Sequence, residues 1–174
     1  LVLSRTPYVQ TVFPWTDFFH TAIVVHVDLS VLVWFLAFAG VLWSINSTPR
    51  GIVVGRLSLM LAALGTLVMA VAPFVAEAHP LMSNYIPVLQ QPVFFTGLLL
   101  FAAGIGLLVL RAMAAIPPVG MWMEGAAALR FGLNTAAVSA MLALMAFAWS
   151  YFTIPYSTLG RAYYELLFWG GGHV

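Results

Sequence analysis

Residues 18–45, FFHTAIVVHVDLSVLVWFLAFAGVLWSI, form one long apolar run in which Asp28 is the only acidic residue and His20 and His26 are the only imidazoles. A helix of about 20 apolar residues crosses the hydrocarbon core of a bilayer, and this run is long enough. Ionisable groups inside such a helix are costly and tend to face protein, water or a cofactor. Neutral imidazole is a common ligand for metals, haem iron included. His26, eight residues into the run, is therefore the residue that the rest of the chain has to explain.

Composition extends the membrane reading to the whole sequence. Hydrophobic residues make up 63% of the 174 residues and charged residues 6%, where a soluble domain carries about 25% charged residues. The chain is predicted to be an integral membrane protein. Six arginines, with no lysine, oppose five carboxylates, and the net charge of +1 gives no argument for nucleic acid. The absence of cysteine excludes disulfides, thiolate metal ligands and cysteine-held iron–sulfur clusters. The chain opens at Leu1 and reaches Val174 within an apolar run, with no basic region and cleavage site of a signal peptide. It is expected to be a piece of a longer polypeptide.

The predicted fold class is all-α: a polytopic transmembrane helix bundle of about five spans, forming a single domain. Residues 1–17, with Pro7 and Pro14, read as a loop or interfacial segment, with Tyr8 and Trp15 in an aromatic belt. The spans are expected near 18–45, 52–74, 93–111, 126–152 and 159–174. The turn 46–51 carries Asn46, Ser47, Pro49 and Gly51. The connection 79–92, with Pro80, Pro87 and Pro92, is expected outside the hydrocarbon region, with Ile86, Val88 and Leu89 against the surface. Residues 112–125, with Trp122, read as an interfacial loop.

Arginines set the orientation. Arg50 and Arg56 flank one loop and Arg111 and Arg130 another, so these two belong on the cytoplasmic side. The first and fifth spans then enter from outside. His26 falls roughly 12 Å along its helix from Phe18, and His173 roughly 20 Å along its own from Gly160. The two imidazoles are thus expected within the membrane at overlapping depths, which is compatible with a shared redox region.

Each candidate has a plainer reading. His26 could be a buried histidine bonded to a neighbouring helix. Asp28, two residues on, does not share its face and is expected to pair with another helix or line a water path. His20 reads as interfacial, and His79 as a loop residue without a ligand role. Gly170, Gly171 and Gly172 each cost about 1 kcal/mol of helix propensity against alanine. They permit close approach of another backbone or a large flat cofactor, or simply helix packing or a flexible tail.

Three stretches together resemble the catalytic subunit I of the haem–copper oxidase superfamily. FFHTAIVVHVDLSVLVWFLAF resembles its second helix, with one haem-ligating histidine early in the span. The same stretch resembles the nitric oxide reductase branch through His26, Asp28 and Val33-Trp34-Phe35-Leu36. NYIPVLQQPVFFTGLLLF is similar to the loop and start of the fourth helix, and FWGGGH to the element opening the sixth, although three consecutive glycines depart from its commonest form.

The resemblance implies a fragment covering the second to sixth helices of a larger twelve-helix-type bundle. By carry-over, His26 is the axial ligand of a low-spin haem and His173 the first ligand of a non-haem copper or iron beside a second, high-spin haem. The remaining ligands belong to later helices. Asp28 and Glu165 are candidates for conducting protons or tuning the field around the metals. The implied activity is oxygen reduction in a terminal respiratory oxidase, or the nitric oxide reductase variant, and the fragment alone is not expected to be active. Implied partners are membrane lipid, other oxidase subunits and an electron donor such as cytochrome c or quinol; the implied location is a bacterial-type plasma membrane or an equivalent respiratory membrane. Two other classes stay open: a membrane b-type cytochrome, and a non-redox transporter or scaffold whose Gly97, Gly104 and Gly106 serve helix packing.

Overall fold

The computed structural model describes residues 2–12, 18–120 and 124–174. Pro14, Trp15, Asp17 and Trp122, assigned above to interfacial segments, lie outside the described residues. The chain is an all-α helical bundle. A single turn at Leu3–Arg5 leads into α1 (Pro7–Val12), followed by α2 (Phe18–Asn46), α3 (Ile52–Val75), α4 (Pro92–Ala114), α5 (Ala126–Thr153) and α6 (Gly160–Gly172). Helices α2 to α5 are each long and apolar enough to cross a membrane. The fifth expected span appears as α6, whose 13 residues extend about 20 Å. Pro7 was expected to disrupt helix. It opens α1 instead, because the first position of a helix has no partner for the missing N–H.

The antiparallel hairpin of α3 and α4 is the centre of the bundle. Lipid tails are as apolar as side chains, so membrane helices associate through close packing and small residues let their backbones approach. Gly65, Gly97 and Gly104 do this here. A Cβ on Gly65 would stand 2.6 Å from the Gly97 carbonyl oxygen, and one on Gly97 2.7 Å from the Met69 nitrogen. Beside this seam Met69, Phe94 and Val109 are wholly buried.

The second span, expected to residue 74, is α3, which holds Pro73 and continues to Val75. Proline removes one backbone hydrogen bond to the preceding turn, and only two residues of helix follow it. The helix ends at Ala76, which is extended. The Gln91 side-chain amide donates to the Ala72 carbonyl at 2.9 Å, satisfying one of the acceptors that a helix end leaves unpaired.

The connection 79–92 is more ordered than its prolines suggest. Strands β1 (Pro80–Leu81) and β2 (Val88–Leu89) pair antiparallel, with Pro80 opposite Leu89 and Leu81 opposite Val88. Gln90 N–H donates to the His79 carbonyl at 3.0 Å and extends the pairing. Val88 and Leu89 are wholly buried. This β-hairpin packs against the first part of α2 and the start of α4, so it belongs to the core.

At the opposite end, side chains tie the helices together. Trp43 Nε1–H donates to the Leu133 carbonyl at 3.1 Å, and the Asn46 amide donates to Asn134 Oδ1 at 3.0 Å. Thr48 N–H donates to the Ala115 carbonyl at 3.0 Å, and Arg111 donates to the Thr48 carbonyl at 3.3 Å. The turns after α2 and after α4 therefore meet at one end of the bundle, and the β-hairpin stands at the other.

Candidate functional site: two histidines and the hairpin between their helices

His26 lies in the last α-helical turn before a change in winding. From Asp28 to Val33 the helix is a π-helix, and Trp34 N–H reaches back five residues to the Leu29 carbonyl. The Ser30 hydroxyl donates to the carbonyl of His26 at 2.6 Å. Such wider turns are uncommon in helices and occur frequently at functional sites.

The wall that α2 presents to the bundle contains Thr21, Val24, Val25 and Asp28, all buried. His26 points the other way: its side chain is exposed and makes no hydrogen bond among the described residues. Asp28 is 1% exposed, and neither carboxyl oxygen has a hydrogen-bond partner among the described residues. The two residues occupy opposite faces, as their spacing requires.

His173 follows the last turn of α6. Its Nδ1 is 2.9 Å from the Trp169 carbonyl oxygen, and the Tyr85 hydroxyl is 3.0 Å from Nδ1 and 3.3 Å from Nε2. The imidazole centroid is 4.7 Å from the Trp169 ring and 5.4 Å from the Tyr85 ring. A carbonyl oxygen can only accept, so the Trp169 bond requires the proton on Nδ1. Nε2 then carries the lone pair, toward which Tyr85 O–H can donate.

Glu165, two turns earlier, accepts from Arg161 Nε at 3.1 Å and from the Asn84 backbone N–H at 3.2 Å. Asn84 and Tyr85, adjacent at the tip of the β-hairpin, thus grip α6 at two points. Ser83 Oγ donates to the Ile86 carbonyl and closes that tip.

The three glycines of α6 have a defined use. A Cβ on Gly170 would stand 3.6 Å from Ala146 Cβ and Ser150 Oγ, at ordinary contact distance. The Phe147 ring fills the place that a Cβ on Gly171 would take, and the Tyr85 ring fills the corresponding place at Gly172. At the last two positions the close approach is therefore by aromatic side chains.

The β-hairpin packs against the helix of His26 on one side and holds His173 through Tyr85 on the other. Both imidazoles are exposed. Among the described residues, no three His, Cys, Asp or Glu side chains converge as a metal-binding group. A cleft of about 760 Å³ between α2, α3 and α4 is lined by residues such as Leu36, Gly40, Ala62 and Ile105, and neither histidine borders it. His20 is exposed beside the Phe19 ring, and His79 is exposed in the β-hairpin.

Sequence reasoning missed Asn84 and Tyr85. Their one advance signal was the apolar Ile86, Val88 and Leu89 next to them, a sign that the connection lies against something.

Fold and composition define a polytopic helical membrane protein. No family model and no solved structure matches the chain. An uncharacterized protein of Rickettsia prowazekii (strain Madrid E) is 30% identical over 206 aligned residues, which cover 100% of this chain and 39% of the relative. An uncharacterized protein of Aquifex aeolicus (strain VF5) is 31% identical over 173 residues, covering 99% of this chain and 43% of the relative. The chain thus spans about two fifths of the length of these relatives.

Proposed function

We propose that this chain is the part of a terminal respiratory oxidase catalytic subunit that supplies one axial ligand to a low-spin haem and one ligand to a non-haem metal. The observation that carries the proposal is His26: an imidazole in the first third of an apolar membrane helix, exposed and without a hydrogen bond among the described residues. An uncompensated polar group in hydrocarbon costs several kcal/mol in round terms, about 2–7, and ligation of haem iron would offset that cost. Copper at the second site makes the enzyme an oxygen reductase, and iron there makes it the nitric oxide reductase variant. The location that follows is a bacterial-type plasma membrane or an equivalent respiratory membrane, with a cytochrome c or quinol as donor and further oxidase subunits as partners.

This chain would contribute one imidazole to each of these groups. The His26 ring makes no hydrogen bond among the described residues. His173 has Nδ1 directed at the Trp169 carbonyl, and a metal at Nε2 would have to displace the Tyr85 hydroxyl 3.3 Å away; carbonyl acceptors such as that of Trp169 are the usual means of fixing a ligating imidazole. When bound, the haems and the non-haem metal supply electron transfer and the reduction of oxygen. The chain's own residues orient the two ligands. Asp28, buried and unpartnered, is the candidate to hold a proton on the inner face of α2. Glu165 is ion-paired with Arg161, which suits an anchor of α6 better than a proton carrier.

The test is haem and metal analysis of the purified full-length protein. Two haems and one copper or non-haem iron per polypeptide are expected. Two haems without a further metal would favour the b-type cytochrome, and absence of both would leave the transporter or scaffold.

A further inference from the structure

The geometry points to a binding site for one anionic phospholipid where the turn into α3 meets the last turn of α4. A cavity of about 330 Å³ opens there. Arg50 and Arg111 border it, and Val54, Leu107, Leu110 and Ala114 make most of its remaining wall. Two cations above an apolar wall match a phosphodiester that carries acyl chains, and basic pockets between membrane helices are known to take such headgroups. The site needs only the membrane fold and does not rest on the oxidase reading.

The cationic end is built into the fold. Gly55 lets the Arg111 guanidinium lie against α3: a Cβ on Gly55 would stand 3.0 Å from Arg111 Nε and 3.3 Å from Cζ. One terminal nitrogen of Arg111 donates to the Thr48 carbonyl at 3.3 Å, which fixes the group across the turn. A guanidinium has five N–H donors, and its Nε is buried without a hydrogen-bond partner among the described residues. Arg50 is exposed, and among the described residues neither arginine is ion-paired with a carboxylate. Glu124, the carboxylate of the loop after α4, is exposed and does not line the cavity. No side chain caps the N-terminus of α3, so its first N–H groups, next to Arg50, add to the positive field. The pocket thus carries two positive charges with no negative partner, and guanidinium suits phosphate oxygens in charge and shape.

Native mass spectrometry of the full-length protein in detergent tests this, with dioleoyl phosphatidylglycerol as the probe and dioleoyl phosphatidylcholine and inorganic phosphate for comparison. The wild type should retain phosphatidylglycerol in preference to phosphatidylcholine, whose ammonium offsets its phosphate, and should retain no inorganic phosphate. Arg50→Gln removes an exposed, unpaired charge and leaves the fold intact; Val54→Trp fills the cavity without changing charge. Both should weaken phosphatidylglycerol binding, the first about fivefold, the worth of one arginine at an anionic lipid surface. Arg130→Gln, at an exposed arginine that borders a different cavity, should leave binding unchanged. Wild-type binding in Arg50→Gln or in Val54→Trp would overturn the site. An equal loss in Arg130→Gln would reduce it to a general attraction of basic surface and also overturn it. Equal retention of phosphatidylcholine, or retention of inorganic phosphate, would overturn the assignment of an anionic phospholipid.

Discussion

Gly104 of α4 lies against the backbone of Ala62 of α3, so close that a Cβ at Gly104 would stand 2.6 Å from the Ala62 nitrogen. Gly106, two residues on, has nothing within 4 Å of the same position. Gly104→Ala should therefore force the helices apart and cost about 1–3 kcal/mol. Gly106→Ala should be neutral or stabilising by up to about 1 kcal/mol, through helix propensity. Unfolding of both variants in detergent measures the difference. Equal effects would contradict the packing of this seam.

Asn46 and Asn134 join α2 to α5 through one side-chain hydrogen bond of 3.0 Å. A double-mutant cycle with alanine at both positions should give a coupling energy of about 0.5–1.5 kcal/mol. A coupling indistinguishable from zero would mean that the bond does not hold the two helices together.

Asp28 is buried with both carboxyl oxygens unpartnered. An unsatisfied buried polar group costs about 1–3 kcal/mol, and leucine keeps the same branched four-atom skeleton without polar atoms, although its methyl groups are bulkier. Asp28→Leu should raise stability by up to that amount while lowering turnover if the carboxyl holds a proton for the reaction. Thermal unfolding and oxygen-consumption rates read the two effects separately. A stability loss of the same size would show that the carboxyl is partnered.

This chain contains no cysteine, so single cysteines placed in it report sidedness in a full-length background whose other cysteines, where present, are replaced. Cysteines replacing Arg50 or Arg130 should react with an impermeant maleimide only after the cytoplasmic side is opened, and those replacing His79 or Ser157 should react from outside. The reverse labelling would invert the orientation read from the arginines.

Much of the fold was legible. Long apolar runs have one economical structure in lipid, the helix that satisfies its own backbone, so the helices fell near their expected bounds. Local signals left the details to long-range contacts. Residues 79–92 read as a connection outside the hydrocarbon region with Ile86, Val88 and Leu89 against the surface; the Gln90–His79 bond and the burial of Val88 and Leu89 make that connection a packed hairpin, which the prolines did not announce. The π-helical stretch after Val27 had no counterpart in the hydropathy pattern. The glycines of α6 announced a close approach, but could not name Phe147 and Tyr85 as the groups approaching. Of the candidate site, the opposite faces of His26 and Asp28 followed from helix geometry. The Tyr85–His173 pairing did not, because it is made across 88 residues.

The reduced-minus-oxidised optical spectrum of the full-length protein, set beside that of His26→Ala, decides whether His26 holds a haem. The wild type should show a low-spin haem signal and the variant should lose it while still inserted in the membrane. A low-spin signal unchanged by His26→Ala would rule out His26 as the haem ligand.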